Sequence, residues 1–195
     1  MREKIANIIS TVGHPFLTIP VFVIFVLFRY NDFQSALKTS AIIIGGIFIP
    51  LGIKTYMGTK KGKYTNMDIS NQIQRQRWYV TAVVLLLIVT ILLFVTEQSR
   101  AIRFNVIYSF LLLLTAQLLN FYVKSSMHVA FNVFLFFLII PINYIFALAF
   151  GIFVIFIGWS RLELKRHTVK EVIFGTMIGL FFGIFSYLTV GFDEI

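Results

Sequence analysis

The chain contains no cysteine, which excludes a disulfide-stapled secreted domain and a Cys-ligated zinc module. Charge is scarce as well. Only 13% of its 195 residues are Asp, Glu, Lys or Arg, where soluble domains carry about 25%. Proline is limited to four residues and no polar low-complexity tract occurs, so a disordered chain is excluded. What fills the composition is apolar: 58% of residues are hydrophobic and 23 are phenylalanine. A chain of this size cannot hide that much apolar surface from water. The lipid bilayer is the solvent that suits it.

A spanning helix needs roughly 20 apolar residues. Stretches of that kind occupy residues 8–30, 38–57, 78–96, 104–123 and 168–192. A further stretch, 128–159, is too long for one crossing and carries Pro141-Ile142-Asn143 near its middle. Proline lacks a backbone donor and asparagine favours turns, so two short helices joined by a tight turn are predicted there. The expected fold class is all-α, a polytopic membrane helix bundle of about six to seven transmembrane segments, forming one domain over residues 1–195. Pro15 and Pro20 interrupt the first segment and make it partly interfacial. Met1-Arg2-Glu3-Lys4 looks like the start of a signal peptide, but no small-residue cleavage site follows, so the segment is expected to be retained. Trp78, Tyr79, Tyr122 and Trp159 fall at segment ends, where amphipathic rings meet headgroups.

Seven crossings sort the loops onto two sides. One side collects 13 of the 17 Lys and Arg residues and the other 4, with four acids on each. The whole net charge of +9 therefore lies on one face. The positive-inside rule favours placing that face in the cytoplasm. The same charge suits anionic lipid headgroups, and membrane lipids, rather than a nucleic acid, are the expected partners.

Three groups of reactive side chains fall on the basic face. His167 and Glu171 are four residues apart, so a helix stacks them on one side. A carboxylate there fixes the imidazole tautomer and leaves the second nitrogen free as a nucleophile or base. Arg161, just upstream, offers a planar fork suited to phosphate oxygens. The second group is Lys124-Ser125-Ser126-Met127-His128, at the start of a membrane helix, where hydroxyls and free backbone donors form an anion site. His128 suits general acid catalysis, and Asn132, one turn on, is expected to orient it. The third group runs from Asp68 to Arg77 and contributes Arg75 as a phosphate ligand. Each group alone also reads blandly, as a solvated charge run, a helix cap or the basic flank of a span. Two crossings separate each group from the next, which returns all three to one face. Cations for the equatorial oxygens, a nucleophile and an acid for the leaving group are what a phosphate ester needs.

Here the sequence resembles the type 2 phosphatidic acid phosphatase superfamily. Ser160, Arg161 and His167 match the third signature (Ser-Arg, five residues, His, three residues, Asp), with Glu171 in the Asp position. Ser126 and His128 match the Ser and His of the second, Pro-Ser-Gly-His. Arg75 keeps the Arg of the first, Lys, six residues, Arg-Pro, while Asp68 and Gln76 replace its Lys and Pro. The resemblance covers roughly residues 58–183 and is similar to a short, divergent bacterial branch whose second motif is Lys-Ile-Ser-x-His. It implies an integral-membrane lipid phosphate phosphatase working through a phosphohistidine, with neither metal nor other cofactor. Under that implication His167 is the nucleophile, Glu171 its orienter and His128 the acid. Arg161, Arg75 and Ser126 hold the phosphate, and Lys124 compensates for the missing first-motif Lys. Phosphatidic acid, phosphatidylglycerol phosphate and polyprenyl pyrophosphate are the candidate substrates.

The alternative reading is a non-catalytic binder or carrier of lipid phosphates, with Met127 and Asp68 marking lost catalysis. On the last span Gly175, Gly179 and Gly183 form a small-residue ridge. Packing inside the bundle is the favoured use of that ridge, and a homo-oligomer is the other. Gln117 and Asn120 are expected to bond neighbouring helices. His14, beside Pro15, is read as structural, and two further histidines with few acids suggest no metal cluster.

Overall fold

A computed structural model describes residues 1–69, 71–96 and 98–190. Eight helices fill these segments and no strand occurs among the described residues. They are α1 (Arg2–Val12), α2 (Pro15–Tyr30), α3 (Phe33–Lys60), α4 (Gln72–Val95), α5 (Arg100–Leu119), α6 (Met127–Ile139), α7 (Tyr144–Glu163) and α8 (Val169–Val190). Five of them, α3, α4, α5, α7 and α8, are long and apolar enough to cross a bilayer. The pair α1–α2, bent by 44° at Gly13-His14, makes a sixth when taken as one span. The chain is an all-α, polytopic membrane bundle. The last segment, expected to reach Phe192, is described to Val190, and residues 191–195, like Ser70 and Glu97, lie outside the described residues.

Local chemistry sets the boundaries. Asp32, Asn71, Ser99 and Asn143 each accept backbone N–H groups from the first turn that follows, capping α3, α4, α5 and α7. His14 does the same for α2 through Nδ1, with Pro15 at the first helical position. The 140–143 turn carries the proline and asparagine that the sequence pointed to, and splits the long apolar stretch into α6 and α7.

At 13 residues α6 rises only about 20 Å, too short for the roughly 30 Å hydrocarbon core. It avoids lipid by lying at the centre: eight of its residues, His128 to Ile139, are buried among the other helices. The glycines of α8 make this possible. A Cβ at Gly175 would stand 2.5 Å from the Ser126 carbonyl oxygen, and one at Gly179 2.5 Å from that of Ala130. The ridge is therefore used inside the bundle, against α6. On the outside, Ile91, Val95, Ile155 and Leu188 are more than half exposed, an apolar surface that only a bilayer accommodates.

Candidate functional site

The helix directions bring the three reactive groups to one end of the bundle. The segment 61–69 delivers Asp68, the first turn of α4 delivers Arg75, the start of α6 delivers His128, the last turn of α7 delivers Arg161 and the α7–α8 connection delivers His167. These five and His14 line one end of a single cavity of about 440 Å³.

His167 sits between α7 and α8, with its ring almost wholly enclosed (2% exposed). Its Nδ1 lies 2.7 Å from Glu171 Oε2. That carboxylate oxygen also accepts the Thr168 N–H at 3.2 Å, while Thr168 Oγ1 accepts the Glu171 N–H at 3.3 Å. The reciprocal pair is a capping box, Thr-x-x-Glu, that starts α8. In this posture the Glu171 side chain folds back over the helix start and reaches the imidazole at the same time. With Nδ1 facing a carboxylate, Nδ1 carries the proton and Nε2 keeps its lone pair. Burial, followed by the nearby Arg75, Arg161 and Lys124 charges, pushes the His167 imidazole down to about 2. It is neutral at physiological pH.

Two guanidiniums form the walls. Arg161 is 2% exposed, donates to Ser10 Oγ at 2.5 Å and to Asp68 Oδ2 at 2.9 Å, and leaves its Nε without a partner. Arg75 donates to the Ser125 carbonyl at 3.0 Å and to the Ile69 carbonyl at 3.3 Å. The hydroxyls of Ser125 and Ser126 and Nε2 of His128 are buried with no hydrogen-bond partner. Unpaired buried donors of this kind are costly; of the three residues, His128 lines the cavity.

Asp68 occupies that end. Its side chain is 6% exposed and its Oδ2 takes both Arg161 and Arg166. Its Oδ1 lies 3.4 Å from His14 Nε2 and 3.7 Å from His128 Nε2. Burial pushes this carboxyl up, yet the His14 hydrogen bond and the neighbouring His128, Arg161 and Arg166 outweigh it. The group is held well below the usual carboxylate range. The next residue, Ile69, is buried at φ +48°, a left-handed conformation that β-branched side chains resist. The chain spends backbone strain to seat its own anion among cations.

Several sequence expectations are corrected here. Asn132 does not orient the His128 ring; its amide donates to the carbonyls of Gly13 (2.8 Å) and His128 (2.6 Å) and ties α6 to the α1–α2 bend. His14, read as structural, does cap α2 and in addition faces the cavity, with its ring 4.6 Å from that of His128. Lys124 donates to the Arg166 carbonyl at 3.0 Å and lies 3.7 Å from Glu171, at the same end of the bundle as Arg75. Burial, then the Arg75 charge, lowers its pKa. Asn120 behaves as expected, with its amide donating to Gln76 Oε1 at 2.8 Å across the α4–α5 pair.

His14, Asp68 and His128 also offer three ligand atoms within 4.8 Å of one another. A zinc site is completed by a fourth ligand, and the second Asp68 oxygen already faces two guanidiniums, which oppose a dication. The group was illegible in the sequence because His14 lies more than fifty residues from either partner. Compared with known proteins, the chain matches no family model, and no curated sequence or solved structure is significantly similar to it.

Proposed function

We propose that the protein is an integral-membrane lipid phosphate phosphatase, hydrolysing a lipid phosphomonoester or terminal pyrophosphate through a phosphohistidine in the manner of the type 2 phosphatidic acid phosphatases. The observation that carries this reading is the convergence of His167, His128, Arg75 and Arg161 on one cavity end, with His167 Nδ1 held by Glu171. The substrate phosphate takes the position now filled by the Asp68 carboxylate, gripped by Arg161, Arg75 and the Ser126 hydroxyl. His167 Nε2 attacks phosphorus, the P–O bond to the lipid breaks, and His128, which takes up a proton as the anionic headgroup enters beside it, gives that proton to the leaving oxygen. His128 then takes a proton from water, the hydroxide attacks the phosphohistidine, and inorganic phosphate departs with His167 restored. The chain's own residues supply each proton and the nucleophile. The basic end is assigned to the cytoplasmic face of a bacterial inner membrane.

A second reading, a non-catalytic lipid-phosphate binder, is favoured by one observation: the cation nest is filled by a carboxylate of the chain itself. Phosphate release from a panel of lipid phosphates, wild type beside His167→Ala, separates the two. A phosphatase loses at least a thousandfold in rate; a binder releases nothing in either form and keeps its affinity for the lipid. No release from any member in detergent and in bilayers ends the enzymatic reading.

A further inference from the structure

Beyond the polar end, the same cavity continues as an apolar chamber into the bundle. Its walls come from α2 (Phe16 to Leu27), α3 (Ile43 to Thr55), α4 (Arg75 to Leu86), α5 (Ile102 to Leu113) and α6 (Met127 to Leu138). Each wall runs over about eleven residues, which at 1.5 Å per residue gives a depth of about 16 Å. Away from the charged end the lining is almost wholly aliphatic and aromatic. Its polar members at the far end, Asn105 and Ser109, are already engaged: Asn105 accepts from Ser186 at 2.5 Å, and Ser109 donates to the Asn105 carbonyl at 2.8 Å.

We propose that this chamber takes the hydrocarbon tail of the substrate, and that the substrate is a single-chain lipid phosphate. The inference rests on the phosphatase reading for the phosphate end, and on the chamber alone for the tail. At roughly 30 Å³ per water-sized group, the 440 Å³ cavity holds about fifteen carbon-sized groups. That suits one isoprenoid or acyl chain of moderate length. A lipid with two such chains needs about twice the space and cannot place both inside. The depth and the volume agree, since one extended chain of that size reaches from the cation nest to Asn105. Desolvating the tail contributes about 0.8 kcal/mol per CH₂, so selectivity follows chain length up to the chamber's end and stops there.

The test uses the full-length protein in mixed micelles with glycerol 3-phosphate, geranyl phosphate, farnesyl phosphate, palmitoyl lysophosphatidate and dipalmitoyl phosphatidate. The two longer single-chain substrates should exceed phosphatidate and geranyl phosphate in kcat/KM by at least tenfold. Farnesyl phosphate against lysophosphatidate tells which single-chain source is preferred. Ala82→Phe, two turns of α4 below Arg75, should lower the rate on farnesyl phosphate at least tenfold and by more than the rate on geranyl phosphate. A binding readout independent of turnover and of that variant comes from Trp78, which lines the chamber. In Trp159→Phe protein it is the sole tryptophan, and its emission should respond saturably to farnesyl phosphonate and not to the two-chain phosphonate. Equal turnover of one- and two-chain lipids, with Ala82→Phe without effect, overturns the chamber and leaves the phosphatase reading standing. No turnover together with a chain-selective Trp78 response overturns the phosphatase reading and keeps the chamber. A Trp78 signal that fails to distinguish one chain from two overturns the chamber whatever the rates.

Discussion

Replacing Asp68 by asparagine should move stability and anion affinity in opposite directions. The carboxylate is 6% exposed and compensates Arg161, itself 2% exposed, at 2.9 Å. Breaking a buried pair costs about 3–5 kcal/mol. Asn keeps the shape and one acceptor, so about 3 kcal/mol or less is expected. Arg166 adds little, since its side chain is 37% exposed and such pairs are screened. For an incoming phosphate the balance reverses. Once the ligand has displaced it, a carboxylate still about 5 Å away repels a monoanion by about 3 kcal/mol at an effective dielectric of 20. Loss of the Arg161 brace returns on the order of 1 kcal/mol. The net is about 2 kcal/mol in favour of binding, or roughly thirtyfold. The assay pairs the inhibition constant of orthovanadate with a thermal melt of the same micellar protein. Asp68→Asn should melt lower and bind vanadate more tightly. A variant that melts lower and binds vanadate equally or more weakly shows that Asp68 organises the cations for the ligand, and refutes its role as a stand-in for phosphate.

Acid should destabilise the protein through His167. Its folded value of about 2 lies below the unfolded value near 6.5, so the unfolded chain takes up a proton that the folded one refuses. This contribution is complete above about pH 6.5 and falls by up to about 1.4 kcal/mol per pH unit below it; Asp68, also depressed, adds to the loss once pH falls below about 4. Melts of wild type and His167→Asn between pH 7 and 5 should show a shallower slope in the variant. Glu171→Gln preserves the capping box and removes the charge facing His167, so it should lower kcat tenfold to a thousandfold with a melting point close to wild type; Glu171→Ala should lower both, the melting point by an amount worth about 1 kcal/mol. An unchanged kcat in Glu171→Gln would dismiss the carboxylate as an orienter. Dialysis against EDTA should leave phosphate release unchanged, and a loss restored by zinc would instead make His14, Asp68 and His128 a metal centre.

Much of the fold was legible because a bilayer imposes one length scale on apolar runs. The turn at Pro141 and Asn143 followed from backbone chemistry alone. The π-helical stretch Ala41–Phe48 within α3 was not legible, since its residues read as an ordinary apolar span. At the site, His167, Glu171, Arg161, His128 and Arg75 were picked out by spacing and an even count of crossings; His167, Arg161, His128 and Arg75 line one cavity, with Glu171 bonded to His167. Asp68 and His14 were only partly legible, for a common reason. The sequence shows Asp68 where the resemblance has a lysine and His14 beside Pro15, while their contacts with each other and with His128 and Arg161 join chain many residues apart. The capping box was present in the sequence as Thr168-x-x-Glu171 and went unread, because the family pattern drew attention to the histidine.

The π-helical stretch has a consequence for the chamber. A four-residue step carries a side chain slightly past a full turn in an α-helix and leaves it short of one where bonds run from i to i+5. Along α3 the two errors offset each other, so Ile43, Ile47, Leu51 and Thr55 stand in a nearly straight file on one wall. Removing a single residue from 41–48 would wind the segment back to an ordinary pitch and swing the outer half of that file away. The caliper that gauges the tail is thus a hydrogen-bonding register, adjustable by one codon with the phosphate end untouched.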